Sequence, residues 1–204
     1  MEEYITLSKE AQASFIEKRS EFIGTARPVK TEEEAMEFIT RIKKKYGDAR
    51  HNCYAYMLAN GSARYSDDGE PQGTAGVPML SVIQKGGFTD AAIVVTRYFG
   101  GILLGAGGLV RAYSAAARDA VAAAKIVTYC EYTEFRVRSS YSDYQKLIPI
   151  IERLDIKEDN SGFADAVTLY LAAKPEVYQL FCEKISEIGA GRIQTEKIGS
   201  RFSE

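Results

Sequence analysis

The pattern of apolar and polar positions predicts alternating short strands and helices along the first 125 residues. Apolar residues two positions apart favour half-buried strands, and apolar residues three to four positions apart favour helices that bury one face. A continuous apolar run at 91–98 is typical of a central strand buried on both sides. Thr31 and Glu34 have the spacing of a capping box at a helix start. The expected elements are strands at 13–18, 20–28, 51–59, 63–66 and 91–98, and helices at 31–46, 74–85 and 109–125.

The remaining residues repeat this alternation in a different order. Phe135 and Val137 alternate with charged residues, as in a strand with one exposed face. The complete order is βαββαβ over about 70 residues, which is the signature of a ferredoxin-like domain. The expected elements are strands at 133–139, 155–159, 164–171 and 192–198, with a turn at 160–162, and helices at 140–154 and 175–189.

These elements predict an α+β protein with two domains. The N-terminal domain, residues 1–131, is expected to be a two-layer α/β unit, and residues 132–204 are expected to form the ferredoxin-like unit. The chain has 204 residues, of which 46% are hydrophobic and 26% charged, as in ordinary globular proteins. Its formal net charge of −2 provides no overall basic field, so any nucleic-acid site has to be a local patch. Sequence-specific DNA binding is not expected.

Cysteine usage and hydropathy indicate a cytoplasmic protein. Cys53, Cys130 and Cys182 match no zinc or redox spacing, which suggests structural thiols in a reducing compartment. The polar, acidic N-terminus does not resemble a signal peptide, and no run of about 18 apolar residues predicts a membrane span. We expect no membrane partner.

Glycine is concentrated in one stretch, because 66–114 contains ten of the chain's 17 glycines. A glycine-rich run follows the central strand and precedes a helix, where backbone N–H groups can bind an anion. The run has neither the Walker A lysine nor the third glycine of a dinucleotide fingerprint. Anion binding and tight packing of helix on sheet are both open interpretations. The candidate glycines are Gly100, Gly101, Gly105, Gly107 and Gly108.

Four cations are candidates for contacts with phosphate. Arg97 ends the central strand and Arg111 lies one turn into the next helix, so both could face one mouth. Lys18 and Arg19 form the turn of the first hairpin. Arginine matches two phosphate oxygens with its planar fork. The alternative for Arg97 and Arg111 is a pair of structural salt bridges to an acidic turn.

That acidic turn contains Asp67, Asp68 and Glu70. These carboxylates could bind a metal or act as acid and base, but Asp-Asp-Gly is also ordinary turn chemistry. We predict no metal and no cofactor.

The polar residues that begin the strand at 51–59 complete the candidate cluster. His51 and Cys53 share one face of a strand, so a Cys–His nucleophile pair competes with a satisfied histidine beside a buried thiol. Asn52, between them, is a further candidate. His51 is the only histidine, which excludes a multi-histidine metal site.

Four segments resemble the motifs of the IMPACT/YigZ family and occur in the family's order. They are EKRSEFIG, HNCYAY, SDDGEPQGTAG and VVTRYFGGILLGAGGLVRAY, which together cover most of 15–115. Glu21 stands where the family's first segment is expected to be basic. The resemblance implies an N-terminal domain similar to domain IV of elongation factor G and a ferredoxin-like second domain. Eukaryotic members are linked to control of translation initiation under starvation, and bacterial members lack an established activity.

Three functions are compatible with these residues. The first is a binding protein that engages RNA, the ribosome or translation factors. The second is an enzyme acting on a small phosphorylated substrate in a cleft of glycine, arginine and acidic residues. The third is a protein-interaction module that presents Tyr98, Phe99 and residues 102–104. We favour the first, because no complete catalytic constellation can be assembled.

Overall fold

The structure, a computed structural model, describes residues 3–189 and 191–203. The chain divides into two compact units, residues 4–128 and residues 129–203 together with Glu3. The mixed α+β class is confirmed. Among the described residues, no helix is both long enough and apolar enough to cross a membrane.

The strands and helices of the first part of the chain are β1 Glu3–Leu7, β2 Ala11–Glu17, β3 Ser20–Pro28, α1 Glu32–Lys45, β4 His51–Met57, β5 Ala63–Ser66, α2 Gly76–Gly86, β6 Ala91–Tyr98 and α3 Ala106–Ala124. The first unit contains a five-stranded antiparallel sheet with the order β2-β3-β6-β4-β5. Its central strand, β6, is buried along nearly its whole length, as the apolar run predicts.

Helices cover both faces of this sheet. On one face, α1 packs over Tyr56, Ala92 and Val94. On the opposite face, α2 and α3 pack over Ile93 and Val95, because neighbouring strand residues point to opposite sides. The helix α1 therefore adds a layer to the expected two-layer arrangement.

Local capping explains where α1 begins. Thr31 Oγ1 accepts a hydrogen bond from the backbone N–H of Glu34 at 3.2 Å. The Glu34 carboxylate in turn accepts the backbone N–H of Lys30 at 2.7 Å. These reciprocal bonds satisfy two donors near the start of the helix, so the capping prediction is confirmed.

The elements of the second unit are β7 Ile126–Ser139, α4 Tyr141–Arg153, β8 Lys157–Phe163, β9 Val167–Ala173, α5 Pro175–Gly189 and β10 Gln194–Ser203. The strand order is β10-β7-β9-β8, all antiparallel. The helices α4 and α5 pack on this sheet through a core that includes Phe135, Leu169 and Phe181. The βαββαβ order is the predicted one.

One strand was not predicted, and one turn was predicted in the wrong place. The pattern gave no strand at 3–7, where β1 lies. The turn expected at 160–162 lies inside β8, because Gly162 and Phe163 pair with Thr168 and Val167. The reversal follows at 164–166, where Ala164 N–H donates to the Ala166 carbonyl. The pairing of β8 with β9 therefore decides where the chain reverses, although the sequence Asn-Ser-Gly is typical of a turn.

Candidate functional site

A buried ion pair joins the acidic turn to the central strand. Arg97 lies at the end of β6, in register with Phe22 of β3 and His51 of β4, on the face that α3 covers. Its Nη1 donates to Glu70 Oε1 at 2.7 Å, and the two side chains are only 6% and 3% exposed. For Arg97, the structure therefore realises the alternative of a salt bridge to the acidic turn.

Glu70 accepts a second hydrogen bond besides that of Arg97, and the imidazole of His51 lies nearby. Tyr113 of α3 donates its hydroxyl to Oε1 at 2.8 Å. Burial, reinforced by the neighbouring Cys53 and Glu70, raises the pKa of Tyr113, which keeps the hydroxyl protonated as a donor. His51 Nε2 lies 3.8 Å from the same Oε1, and its Nδ1 lies 2.8 Å from the Asp68 carbonyl. Since a carbonyl only accepts, Nδ1 carries the proton.

The guanidinium of Arg97 links this pair to two surface segments. Its Nη2 donates to Ser20 Oγ at 3.3 Å, and the same oxygen accepts the Gly100 backbone N–H at 3.2 Å. The group also lies over the rings of Phe22 and Phe99, 5.4 and 5.5 Å from their centroids. Arg97 thus positions the start of β3 and the glycine-rich loop, and its burial leaves no room for a direct phosphate contact.

The Asp67 side chain caps the N-terminus of helix α2, although it lies eight residues before the N-cap position. Its Oδ1 accepts the backbone N–H groups of Ala75 and Gly76 at 3.0 and 2.8 Å, and its Oδ2 accepts that of Gly73 at 2.8 Å. Burial acts to raise the pKa of Asp67, but the three backbone hydrogen bonds outweigh it and lower the pKa. The N-cap residue of α2, Ala75, has no side-chain acceptor, so Asp67 supplies the missing cap.

Asp68 is also fully engaged. Its Oδ2 accepts the backbone N–H of Asn52 and its Oδ1 accepts Lys43 Nζ, both at 2.7 Å. Within residues 3–189 and 191–203, no group of three or more acidic, histidine or cysteine side chains could hold a metal ion. The acidic turn therefore organises the fold, and none of its three carboxylates is positioned as an unengaged base.

The start of β4 is equally well satisfied. Cys53 Sγ donates to the Asp67 carbonyl at 2.9 Å, and burial raises the pKa of Cys53 to about 12. Such a thiol is not a nucleophile at neutral pH, which favours the satisfied histidine over the Cys–His pair. The Asn52 side chain donates to the Tyr46 carbonyl and accepts from Thr96 Oγ1.

The turn between β2 and β3 has an unusual backbone. Lys18 and Arg19 have φ angles of +47° and +65°. Residues other than glycine, asparagine and aspartate rarely adopt this left-handed backbone conformation. Gly100 supports this turn, because a Cβ at that position would lie 2.0 Å from the carbonyl carbon and oxygen of Arg19. The hairpin tip and the glycine-rich loop are therefore in direct backbone contact.

Several of the predicted anion-binding residues lie at or beside this tip. Lys18, Gly108 and Arg111 line one hollow of about 210 Å³, together with Phe15 and Glu17. We call the surface formed by Lys18, Arg19, Phe99, Leu103 and Arg111 the basic hairpin surface. All five side chains are exposed, Phe99 by 42% and Leu103 by 81%. Gly100 contacts Arg19, Gly107 lies near Arg111 and Gly108 lines the hollow, whereas Gly101 and Gly105 lie in the loop between β6 and α3.

Two residues that form hydrogen bonds with the buried Arg97–Glu70 pair, Ser20 and Tyr113, were absent from the sequence-based candidates. Ser20 precedes the apolar run of β3 and has no periodic signal of its own. Tyr113 had a usable signal, because it follows Leu109 by four positions and so lies on the buried face of α3.

The fold and this cluster define a class of protein: a mixed α+β chain with a ferredoxin-like second unit and a glycine-rich loop above a buried Arg–Glu pair. Comparison with known families identifies the same two parts. Residues 18–121 match the Impact N-terminal domain, and residues 137–192 match DUF1949, a domain of unknown function.

Curated relatives carry the same family name. An IMPACT family member of Haemophilus influenzae is 34% identical over 188 residues, covering 89% of this chain and 91% of that protein. YigZ of Escherichia coli is 32% identical over 181 residues, covering 87% and 89%. YvyE of Bacillus subtilis is 50% identical over 112 residues, a match that spans 54% of this chain and 52% of that protein.

A solved structure agrees along the whole chain. The crystal structure of a hypothetical protein, 30% identical, superposes with a TM-score of 0.61 and covers 97% of this chain and 98% of its own. The chain belongs to the IMPACT family. Membership supports a translation-related regulatory role at the level of the family.

Proposed function

We propose that this protein regulates translation by binding RNA, in the ribosome or in complexes with translation factors, through the basic hairpin surface. The observation that carries the proposal is the grouping of Lys18, Arg19 and Arg111, three exposed cations without an ion-pair partner among the described residues. Such cations are available to neutralise phosphates. Glu17 also lines the hollow, so the arrangement favours a phosphate chain that passes along the cations over an anion buried in the hollow.

The geometry supports a preformed contact. Contact with Gly100 fixes the backbone of the tip, and the Arg97–Ser20 bond fixes Gly100. Phe99 presents an exposed ring next to Gly100, which contacts Arg19, and aromatic rings stack on unpaired bases. A local patch of this kind is compatible with the net charge of −2.

The decisive experiment is co-sedimentation with ribosomes, and separately with bulk RNA, over a series of salt concentrations. Wild type is compared with Lys18→Gln/Arg19→Gln/Arg111→Gln. The control is Lys44→Gln/Lys45→Gln, which removes exposed charge at the end of α1, on the sheet face opposite α3. We expect log K against log salt to become less steep by roughly 2 to 3 for the triple variant, since each phosphate contact contributes about 0.7 to 0.9.

The outcome identifies the surface as well as the ligand class. An unchanged affinity and slope in the triple variant, with wild-type binding present, would exclude the basic hairpin surface. The absence of wild-type binding at low salt would exclude the proposed function.

A protein partner is the second candidate, because Ile102 and Leu103 are exposed apolar side chains on the loop beside the tip. An apolar contact is nearly independent of salt, in contrast to phosphate binding. Leu103→Asp should then abolish co-sedimentation with ribosomes at every salt concentration, while Lys18→Gln/Arg19→Gln/Arg111→Gln should leave it unchanged.

A further inference from the structure

A groove between α2 and α3 lies on a different part of the first unit. It encloses about 480 Å³, and its walls include Val82 and Lys85 of α2 and Arg118 and Val121 of α3. The volume is in the range of small-molecule sites, which are mostly apolar with a few polar groups. None of the residues proposed to bind RNA lines it.

The sequence of the two helices explains why the groove is open. On α3, Ser114, Arg118 and Ala122 recur every four residues and so form one row facing the groove. Serine and alanine are too short to fill the space that leucine or phenylalanine would occupy at these positions. Phe88, fully buried after the end of α2, contributes an apolar wall.

The charges around the groove are all of one sign. Lys85 and Arg118 are exposed, and neither forms an ion pair within the part of the chain that the structure describes. No lining residue is acidic, and the remaining polar side chains are the hydroxyls of Ser81 and Ser114. An apolar cavity with two cations and two hydroxyls is complementary to a molecule with an apolar body and one anionic group.

We propose that the α2–α3 groove binds a small amphipathic anion, such as a carboxylate, phosphate or sulfonate attached to a hydrocarbon or aromatic body. The apolar body packs against Val82, Phe88 and Val121, and the anionic group lies between Lys85 and Arg118. This site is independent of RNA binding and requires no covalent step.

Two fluorescent probes of matched shape test the proposal on the full chain. The first is 1-anilinonaphthalene-8-sulfonate, an amphipathic anion, and the second is N-phenyl-1-naphthylamine, which has the same rings without the sulfonate. We expect the wild-type protein to bind both, with fluorescence rising on transfer from water to the groove. Octanoate or dodecanoate should displace the sulfonate probe.

Variants separate the apolar and charged parts of the site. Lys85→Gln/Arg118→Gln should weaken the sulfonate probe by about fivefold or more and leave the neutral probe unchanged, because only the ion-pair contribution is removed. Ala122→Phe, at an exposed position, should fill the groove and abolish binding of both probes while the thermal midpoint is preserved. Lys44→Gln/Lys45→Gln should change neither affinity.

Two outcomes would overturn the proposal. The first is failure of the native protein to bind the sulfonate probe. The second is binding that survives Ala122→Phe, which would locate the probe elsewhere. Because these measurements contain no RNA, their result does not depend on the co-sedimentation experiment.

Discussion

Arg97 Nη1 and Glu70 Oε1 lie 2.7 Å apart beneath the glycine-rich loop, and both side chains are almost completely buried. The pair connects the central strand to the acidic turn, and Tyr113 extends it to α3. Buried charges of this kind are expensive to separate, because the partner left behind has lost its hydration and gains no replacement.

Removing one member of this pair should therefore be strongly destabilising. We expect Arg97→Met to lower the free energy of unfolding by about 3–5 kcal/mol. In the double variant Arg97→Met/Glu70→Gln, much of that loss should be recovered, because no unpaired charge remains. Urea denaturation measures both values.

The exposed pair Arg64–Glu32, at 3.5 Å, provides the control. Arg64→Met should cost no more than about 1 kcal/mol. If Arg97→Met and Arg64→Met destabilise equally, the buried pair does not organise the site.

Asp67 should make the free energy of unfolding depend on pH in the acidic range. Its pKa is lower in the folded protein than in the unfolded chain, so its contribution is present above the unfolded value and is lost as pH falls through the folded value. We expect Asp67→Asn to cost about 1–2 kcal/mol at pH 7, the usual cost of a lost helix cap. The difference between variant and wild type should shrink as pH falls below about 4.

Thermal unfolding followed by circular dichroism from pH 7 to pH 2.5 gives this comparison. Asp119→Asn removes an exposed aspartate of α3 that has no ion pair in the described structure, and it should lie within about 0.5 kcal/mol of wild type. A difference for Asp67→Asn that stays constant down to pH 2.5 would contradict the assignment of Asp67 as an ionised cap.

Gly100 and Gly107 should respond to alanine in opposite directions. At Gly100 a Cβ would lie 2.0 Å from backbone atoms of Arg19, so Gly100→Ala has to displace the hairpin tip. At Gly107, inside the first turn of α3, the nearest atom is Arg111 Nη1 at 3.6 Å. We expect Gly100→Ala to destabilise by at least about 2 kcal/mol and Gly107→Ala to stabilise by up to about 1 kcal/mol, as alanine favours helix.

Chemical denaturation of the two single variants is sufficient to check this. Equal tolerance at both positions would show that the loop moves away from the hairpin without cost.

Lys18 and Arg19 should lower the stability of the hairpin tip through their strained backbone and raise its affinity for RNA through their charges. Replacing Lys18 and Arg19 by Asn and Gly supplies the residues that prefer positive φ at both central positions of a two-residue turn. We expect Lys18→Asn/Arg19→Gly to raise the free energy of unfolding by about 1–2 kcal/mol, since side-chain strain is relieved. The same change should lower RNA affinity, because two phosphate contacts are lost.

A charge-only variant separates these effects. Lys18→Gln/Arg19→Gln keeps the strained backbone, so it should lose affinity and gain no stability. Stabilisation without loss of binding would mean that the tip does not contact RNA.

Sequence reasoning located the elements whose determinants are local. The cap at Thr31, the buried strand β6 and the βαββαβ order all follow from spacing within one segment. The turn at 160–162 was wrong because pairing with β9, a tertiary property, decides where β8 ends. Residues of the acidic turn were recognised as important, but their partners come from α1, α2, α3, β4 and β6. These pairings join segments that are far apart in the sequence, and a pattern within one segment cannot show them. The structural role of Asp67, Asp68 and Glu70 could therefore be distinguished from a catalytic role only with the structure.

The left-handed turn at Lys18 and Arg19, held by Gly100, has a kinetic consequence. Side chains that leave a fixed backbone in fixed directions need no loop rearrangement before they meet a ligand. Association at the tip should thus proceed in one step at a rate set by encounter, rising linearly with ligand concentration and slowed by added salt. The conformational free energy of this uncommon backbone is therefore paid during folding, so it does not slow the association of the tip with a ligand.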